Sequence, residues 1–312
     1  MFEHVWRRTK ETFYTTGYHN APWDDMKKKY EKFLPHIGDN YEFAEMLSEM
    51  LGELNVSHCG ASYFASNAGG DATATLGAFY DETYKGDGIK IEEVIKEGPL
   101  DKADIRLKAG VVIEAIDGEA ITPAKDLPQY LNRKAGKNTL ITVYDPVDKT
   151  RKDYVVKPIS LGTQSGLLYK RWVRRNEEEV NRLSNGTIGY VHIPGMNDGA
   201  YRSMFGDVLG KFADRKALVV DTRNNGGGDL VSDLAMFLSG KTYLLNTGDN
   251  RVWYSEPSFR WNKPSIAMAN ESNYSDGHCF AFGYVDLKLG KLVGMPVPGT
   301  CTFAGWQVLQ DN

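Results

Sequence analysis

Between residues 2 and 54 the apolar positions follow a helical rhythm. Phe43, Met46, Leu47, Met50, Leu51 and Leu54 recur at i, i+3, i+4, which puts one apolar stripe on a helix that needs a partner to cover it. Trp23-Asp24-Asp25-Met26 directly after Pro22 reads as another helix start. Residues 61–64 read as a short strand, and Asn67-Ala68-Gly69-Gly70-Asp71 as a glycine-rich loop or boundary. From about residue 72 to 159 strand-like alternation dominates, with one helix near 124–133. Beyond 162 the pattern becomes strand 186–192, helix 198–213, strand 217–222, helix 230–238, strand 265–270 and helix 275–286. Parallel strands with crossover helices fit that order, and ligands in such sheets bind beyond the carboxyl ends of the strands.

Composition narrows the class. At 312 residues the chain exceeds the roughly 250–300 at which single cores stop growing, so two or three units are expected. With 41% hydrophobic and 25% charged residues it has an ordinary soluble composition. No apolar run approaches the roughly 20 residues of a membrane span, so none is expected. The net charge of -4 is small, and Lys27-Lys28-Lys29 and Arg174-Arg175 are offset by nearby acids. They read as solvated helix faces, not as a nucleic-acid footprint. Cys59, Cys279 and Cys301 form an odd set without CxxC spacing, which suggests neither a zinc site nor a disulfide framework; no metal and no cofactor is called for. The opening Phe2-Glu3-His4-Val5-Trp6-Arg7-Arg8 is charged and has no apolar core behind it, unlike a signal peptide.

Three segments carry candidate chemistry. Asn273-Tyr274-Ser275-Asp276-Gly277-His278 follows the apolar run 265–269 and sets a serine at a strand-to-helix turn, where a helix start offers unpaired N–H groups. On pattern alone that serine is an N-cap. Ser57-His58 comes straight after the helical stretch 41–54 and would supply the base a serine needs, although a histidine there also serves the last carbonyls of a helix. The third segment runs from the buried-strand pattern Leu218-Val219-Val220-Asp221 through Thr222-Arg223-Asn224-Asn225 into Gly226-Gly227-Gly228. It lacks both the Gly-Lys-Ser/Thr ending and GxGxxG with an acidic partner, which disfavours nucleotide binding and leaves amides suited to an oxyanion. Cys279 with His58 is an alternative nucleophile, set aside because Cys279 is expected to point inward among Phe280 and Phe282 as an inert thiol. His278 is expected at the surface near the cleft, His192 against a neighbouring strand, and Asp221 with Arg223 as an ion pair bracing the glycine turn. The aromatic-rich segment 253–261 either lines a substrate groove or packs over the active-site face.

The order of these parts resembles the tricorn-like members of the tail-specific (carboxy-terminal processing) serine proteases. The resemblance rests on Trp6-Arg7, Trp23-Asp24, Tyr30 and the run Glu49 to His58, then on Gly189-Tyr190-Val191-His192-Ile193-Pro194, the Asp221 to Gly228 turn, Ser275-Asp276-Gly277 and Leu289-Gly290-Lys291-Leu292-Val293-Gly294. It implies an α/β multidomain chain: an N-terminal helical unit, 1–66, carrying the base; a PDZ-like β-rich module, 67–160; and a ClpP/crotonase-like α/β catalytic domain, 161–312. Leu107 to Gly118, Asp126-Leu127 and Leu140 to Tyr144 carry the PDZ likeness; that module would dock a peptide by strand addition or act as a scaffold.

Carried over by position, Ser275 becomes the nucleophile and His58 the general base, with Ser57 in their hydrogen-bond network. The oxyanion amides become those of Asp276 and a glycine, Gly228 ahead of Gly227 and Gly226. The family's orienting glutamate falls past Asn312, so the chain is expected to be part of a longer protein, which is favoured, or a divergent homologue whose site is incomplete. The implied function is metal-free hydrolysis of unfolded proteins or short peptides through an acyl-enzyme. The alternative is a catalytically inactive, PDZ-containing peptide-binding protein. Homo-oligomeric assembly and a cytoplasmic location are also implied, with a periplasmic one if a signal peptide has been removed.

Overall fold

The apolar stripe near the N-terminus closes a small helical core. In the computed structural model, which describes residues 1–65 and 69–310, helices span Phe2–Thr12, Trp23–Glu31 and Asn40–Gly52. Asn67 and Ala68 of the expected glycine-rich boundary lie outside the described residues. Asp39 starts the third helix: its side chain accepts the Glu42 N–H, while the Glu42 carboxylate reaches back to Gly38 N. Trp23, Met46, Leu47, Met50 and Leu54 form the core. The indole N–H of Trp6 donates to the Trp23 carbonyl and that of Trp23 to the Trp6 carbonyl, which fastens the first two helices to each other.

Residues 61–64 form no strand. Ser48 Oγ instead donates to the Ala61 carbonyl and accepts its N–H, both at 2.8 Å. A side chain meets the backbone's hydrogen-bonding demand where no neighbouring strand does.

The α/β alternation after residue 186 produces the expected parallel sheet. Its strands lie in the order Lys291–Gly294, Ser265–Ala269, Ala217–Asp221, Ile188–His192, and every pairing is parallel. The crossovers are Asp198–Gly206, which runs on as a π-turn over Asp207–Lys211, then Val231–Ser239 and Asp276–Asp286. Val191, Leu218, Val220, Leu234, Phe237, Ala267, Phe280 and Tyr284 make one core. The central strand Ala217–Asp221 is almost wholly buried, which is why it reads as a continuous apolar run. Residues 253–256 of the aromatic segment belong to an antiparallel hairpin, Leu244–Gly248 with Arg251–Glu256, outside that sheet, with Trp253 and Tyr254 exposed, whereas Trp261 is buried in the core of the sheet.

The described contacts group the chain into two compact units, residues 1–66 with 179–312, and residues 67–178. The second is the PDZ-like β module. Ala78–Tyr80, Ile89–Val94, Val112–Ile116, Thr139–Asp145 and Thr150–Val156 pair in that order, with Glu119–Ala120 off Val112–Ile116, over a core of Leu76, Ile91, Ile113, Ile116 and Ile141. One helix escapes the sequence reading. Leu161–Leu183 is 23 residues long and buries none of them, although Leu161, Leu168, Trp172, Val180 and Leu183 share one helical face. Arg171 and Lys170 on it pair instead with Glu93 and Glu97. No described helix is long and apolar enough to cross a membrane.

Candidate active site

Two adjacent strands of the parallel sheet, Ala217–Asp221 and Ser265–Ala269, deliver the loops that build the site. The loops are tied together at their bases. Asn273, fully buried, donates from Nδ2 to the Thr222 carbonyl and hydroxyl and accepts the Asn270 N–H, while Tyr274 N donates to the Asn225 carbonyl. Ser275 then turns the chain into the helix Asp276–Asp286 with φ 52° and ψ -127°. That is a costly conformation for a residue with a Cβ, held by its neighbours. Ser275 occupies the N-cap position, yet its side chain makes no capping hydrogen bond. Its half-buried hydroxyl is thus not spent on the helix.

Asp276 has the capping task, but for another helix. Its buried carboxylate accepts the N–H groups of Leu230 at 2.7 Å and Val231 at 3.0 Å, at the start of Val231–Ser239. The Asp276 N–H itself stands at the first helical position, where no intrahelical acceptor exists. Asp276→Ala is expected to strip two buried donors of their partner and lower unfolding free energy by about 3 kcal/mol, read as a shifted midpoint in chemical denaturation with an unchanged slope.

The glycine turn is held by side chains on both sides of it. Fully buried Asp221 pairs with Arg223 and accepts the Tyr190 hydroxyl at 2.7 Å. Burial pushes the Asp221 carboxyl up, but its bonds from Arg223 and Tyr190 outweigh that and hold it below the ordinary carboxylate range. The ion pair expected to brace the turn is therefore present. Asn225, also fully buried, donates to the Ile193 carbonyl and accepts the Gly227 N–H at 2.8 Å, so that amide is engaged. Gly227 passes directly under the serine: a Cβ on it would come within 2.5 Å of Ser275 Cβ. Gly228, at φ 141°, lies against the Met196 carbonyl, between the bonds Met196 N to Gly227 O and Asp229 N to Met196 O. The Gly228 N–H has no acceptor among the described residues. Gly226 has open space around its Cα.

His58 is half-buried, at φ 66°. Its Nδ1 lies 2.9 Å from Ser57 Oγ and 3.1 Å from Thr302 Oγ1, and those two hydroxyls are 2.7 Å apart. With Nδ1 engaged in this group, Nε2 is the nitrogen left for chemistry. The backbone N–H of His58 donates to the Tyr274 hydroxyl at 2.9 Å, and the two rings pack with centroids 4.6 Å apart. The residue before Ser275 thus touches the histidine directly. Among the described residues no hydrogen bond joins Ser275 Oγ to His58.

Two expectations about the neighbourhood are corrected. Cys279 and Cys301 form a disulfide, with Cα atoms 5.1 Å apart at a sequence separation of 22; an odd cysteine count without CxxC spacing gives no hint of a pair that only the fold brings together. Cys279 is half-buried and oxidised, not an inward-facing thiol, and Phe282 is exposed. As half of a disulfide it offers no thiolate. Cys59 stays free, and burial pushes its thiol up. His278 is not a plain surface residue: it is half-buried, and its Nδ1 accepts the N–H groups of Thr300 and Cys301, each at 2.9 Å. His192 does lie against its neighbour, with Nε2 2.9 Å from the Arg223 carbonyl.

Sequence reasoning assigns no role of their own to Tyr274, Asn225 and Asn273 within the candidate segments, and does not reach Thr300 and Thr302. The asparagines carried a usable signal, since each flanks a turn that follows a strand and asparagine fastens such turns through its side-chain amide. The threonines carried none.

The chain matches the tricorn protease C1 domain over residues 1–52, the tricorn protease PDZ domain over residues 81–160, and peptidase family S41 over residues 187–312. The tricorn protease homolog of Saccharolobus solfataricus is 29% identical over 303 residues, covering 94% of this chain and 28% of its own length. Tricorn protease homolog 1 of Streptomyces coelicolor is 28% identical over 308 residues, covering 95% of this chain and 28% of its own. The crystal structure of the tricorn protease aligns with a TM-score of 0.80 at 23% identity, over 96% of this chain and 30% of that one. The fold is shared, and the chain spans less than a third of the length of these relatives.

Proposed function

Since the chain is a tricorn-like member of peptidase family S41, we propose that it hydrolyses peptide bonds through an acyl-enzyme on Ser275, with His58 as general base. One observation carries the reading. An uncapped serine hydroxyl at a strand-to-helix turn follows the tyrosine that packs on a histidine whose Nδ1 is already engaged.

In this reading His58 Nε2 takes the Ser275 proton as Oγ attacks the scissile carbonyl. The N–H groups of Gly228 and Asp276, neither of which has an acceptor among the described residues, receive the oxyanion. Gly227 contributes closeness of backbone, not a donor, because Asn225 holds its amide. The histidine returns the proton to the leaving amine, and a water then repeats the sequence on the acyl-enzyme. Ser57 tethers the imidazole. The substrates are unfolded proteins and short peptides, which give the extended backbone such a site requires.

Incubation with a set of internally quenched peptides and an unfolded protein tests this. Wild-type protein is expected to cleave both, and His58→Ala to lose about four to six orders of magnitude in kcat. Cleavage that survives His58→Ala undiminished would reject the assignment.

A further inference from the structure

The disulfide lies one helical turn from Ser275, and the residues flanking Cys301 contact the backbone of Ser275 and the ring of His58. Thr300, buried, accepts the Ser275 N–H on its hydroxyl at 3.1 Å. Thr302 places its hydroxyl 3.1 Å from His58 Nδ1 and 2.7 Å from Ser57 Oγ. Between them, Cys301 is joined covalently to Cys279, and the N–H groups of Thr300 and Cys301 both end on His278. Cys279 and His278 belong to the helix that Ser275 opens. Residues 298–302 therefore form a strap bolted to the nucleophile's own helix, with one threonine on the nucleophile and one on the base.

We propose that this strap is the positioning element of the site, with Thr302 as a positioning residue that acts through His58, and that the Cys279–Cys301 bond is a redox latch on it. The proposal rests on the peptidase reading given above. In this proposal Thr302 and Ser57 accept the Nδ1–H of His58 and so hold the form that leaves Nε2 free to accept a proton. Cys301 is exposed and Cys279 half-buried, so a small thiol reaches the bond. A dithiol reductant transfers two electrons and two protons: the S–S bond breaks, Cys279 and Cys301 become thiols, and the reductant leaves as its own disulfide. The strap is then held only by hydrogen bonds, and the hydroxyl on His58 loses its fixed place. Misplacement on the scale of an ångström at a catalytic group costs about 100-fold in rate. An oxidising compartment keeps the latch shut and a thiol-buffered one opens it.

The test uses the full chain, a fluorophosphonate probe and dithiothreitol. Reduction is expected to raise the titratable thiols from Cys59 alone to all three cysteines. In parallel it is expected to slow labelling of Ser275 by about 10- to 100-fold, and reoxidation to restore the rate. The double variant Cys279→Ala with Cys301→Ala is expected to label slowly and to ignore dithiothreitol. Thr302→Val is expected to label slowly even when oxidised, with Thr302→Ser restoring the wild-type rate. Nitrogen NMR of the His58 ring, read without substrate in the same samples, is expected to show the Nδ1–H form lost on reduction and in Thr302→Val.

A labelling rate and a His58 tautomer both indifferent to reduction and to Thr302→Val would overturn the proposal. An oxidised protein that never labels, yet whose tautomer follows the latch, would sink the peptidase reading and leave the strap standing as a positioning device.

Discussion

Ser275→Ala is expected to abolish peptide hydrolysis, with a loss of about four to six orders of magnitude in kcat, while the unfolding midpoint stays within a degree or two of wild type. The two halves of this expectation have separate causes. The hydroxyl is the attacking atom in the proposed mechanism, and no other group in the turn replaces it. The same hydroxyl contributes nothing to the fold that the structure records: it makes no capping bond to the helix Asp276–Asp286. The Ser275 backbone N–H, which does have a partner in Thr300, is retained in alanine. A parallel assay of turnover and thermal unfolding checks both halves. Loss of activity accompanied by a large fall in midpoint would mean that the residue is structural and that the catalytic inference from this variant is void.

Gly228→Ala is expected to have the largest effect on stability, about 3–5 kcal/mol, because two penalties add. A Cβ at Gly228 would overlap the Met196 carbonyl and crowd the rest of the Met196 backbone. That neighbour is main chain fixed by hydrogen bonds on either side, from Met196 N to Gly227 O and from Asp229 N to Met196 O. Overpacking against atoms that cannot step aside costs about 1–3 kcal/mol. The φ of 141° adds a conformational penalty of about 1–3 kcal/mol for any residue with a side chain. Gly226→Ala is the matched control: nothing lies within 4 Å of its added carbon and its φ is not in the left-handed range, so its effect is expected to stay within about 0.5 kcal/mol. Denaturant midpoints of the two variants separate the account from one in which all three glycines are interchangeable.

The parts that were legible in the sequence share a physical reason. Ala217–Asp221 is buried on both faces and had to be apolar, Ser265–Ala269 buries one face and stands out as an apolar run, and the glycines and the serine that follow them marked the carboxyl ends where chemistry collects. The amphipathic helix ending near His58 was legible through its stripe. What failed lacked such a constraint. Leu161–Leu183 buries no residue in a core. The segment 61–64 has strand-like residues but only a serine side chain to satisfy its backbone. Trp253 and Tyr254 alternate in a hairpin whose faces are both exposed, which erases the contrast between inside and outside.

Within the site, Ser57, His58, Ser275 and the glycine turn were visible because each stands at a recognisable junction between elements. Thr300 and Thr302 were not, because they reach the site from a segment without regular structure that a disulfide holds in place. A covalent tie across 22 residues leaves no trace in composition or spacing.

The central claim is that Ser275 is an activated nucleophile. The most direct measurement is covalent labelling of the intact, oxidised protein with a fluorophosphonate, followed by mass-spectrometric mapping of the adduct. The account predicts a single adduct on Ser275 that disappears in His58→Ala. An adduct on another serine, or none on the wild-type protein, would contradict it.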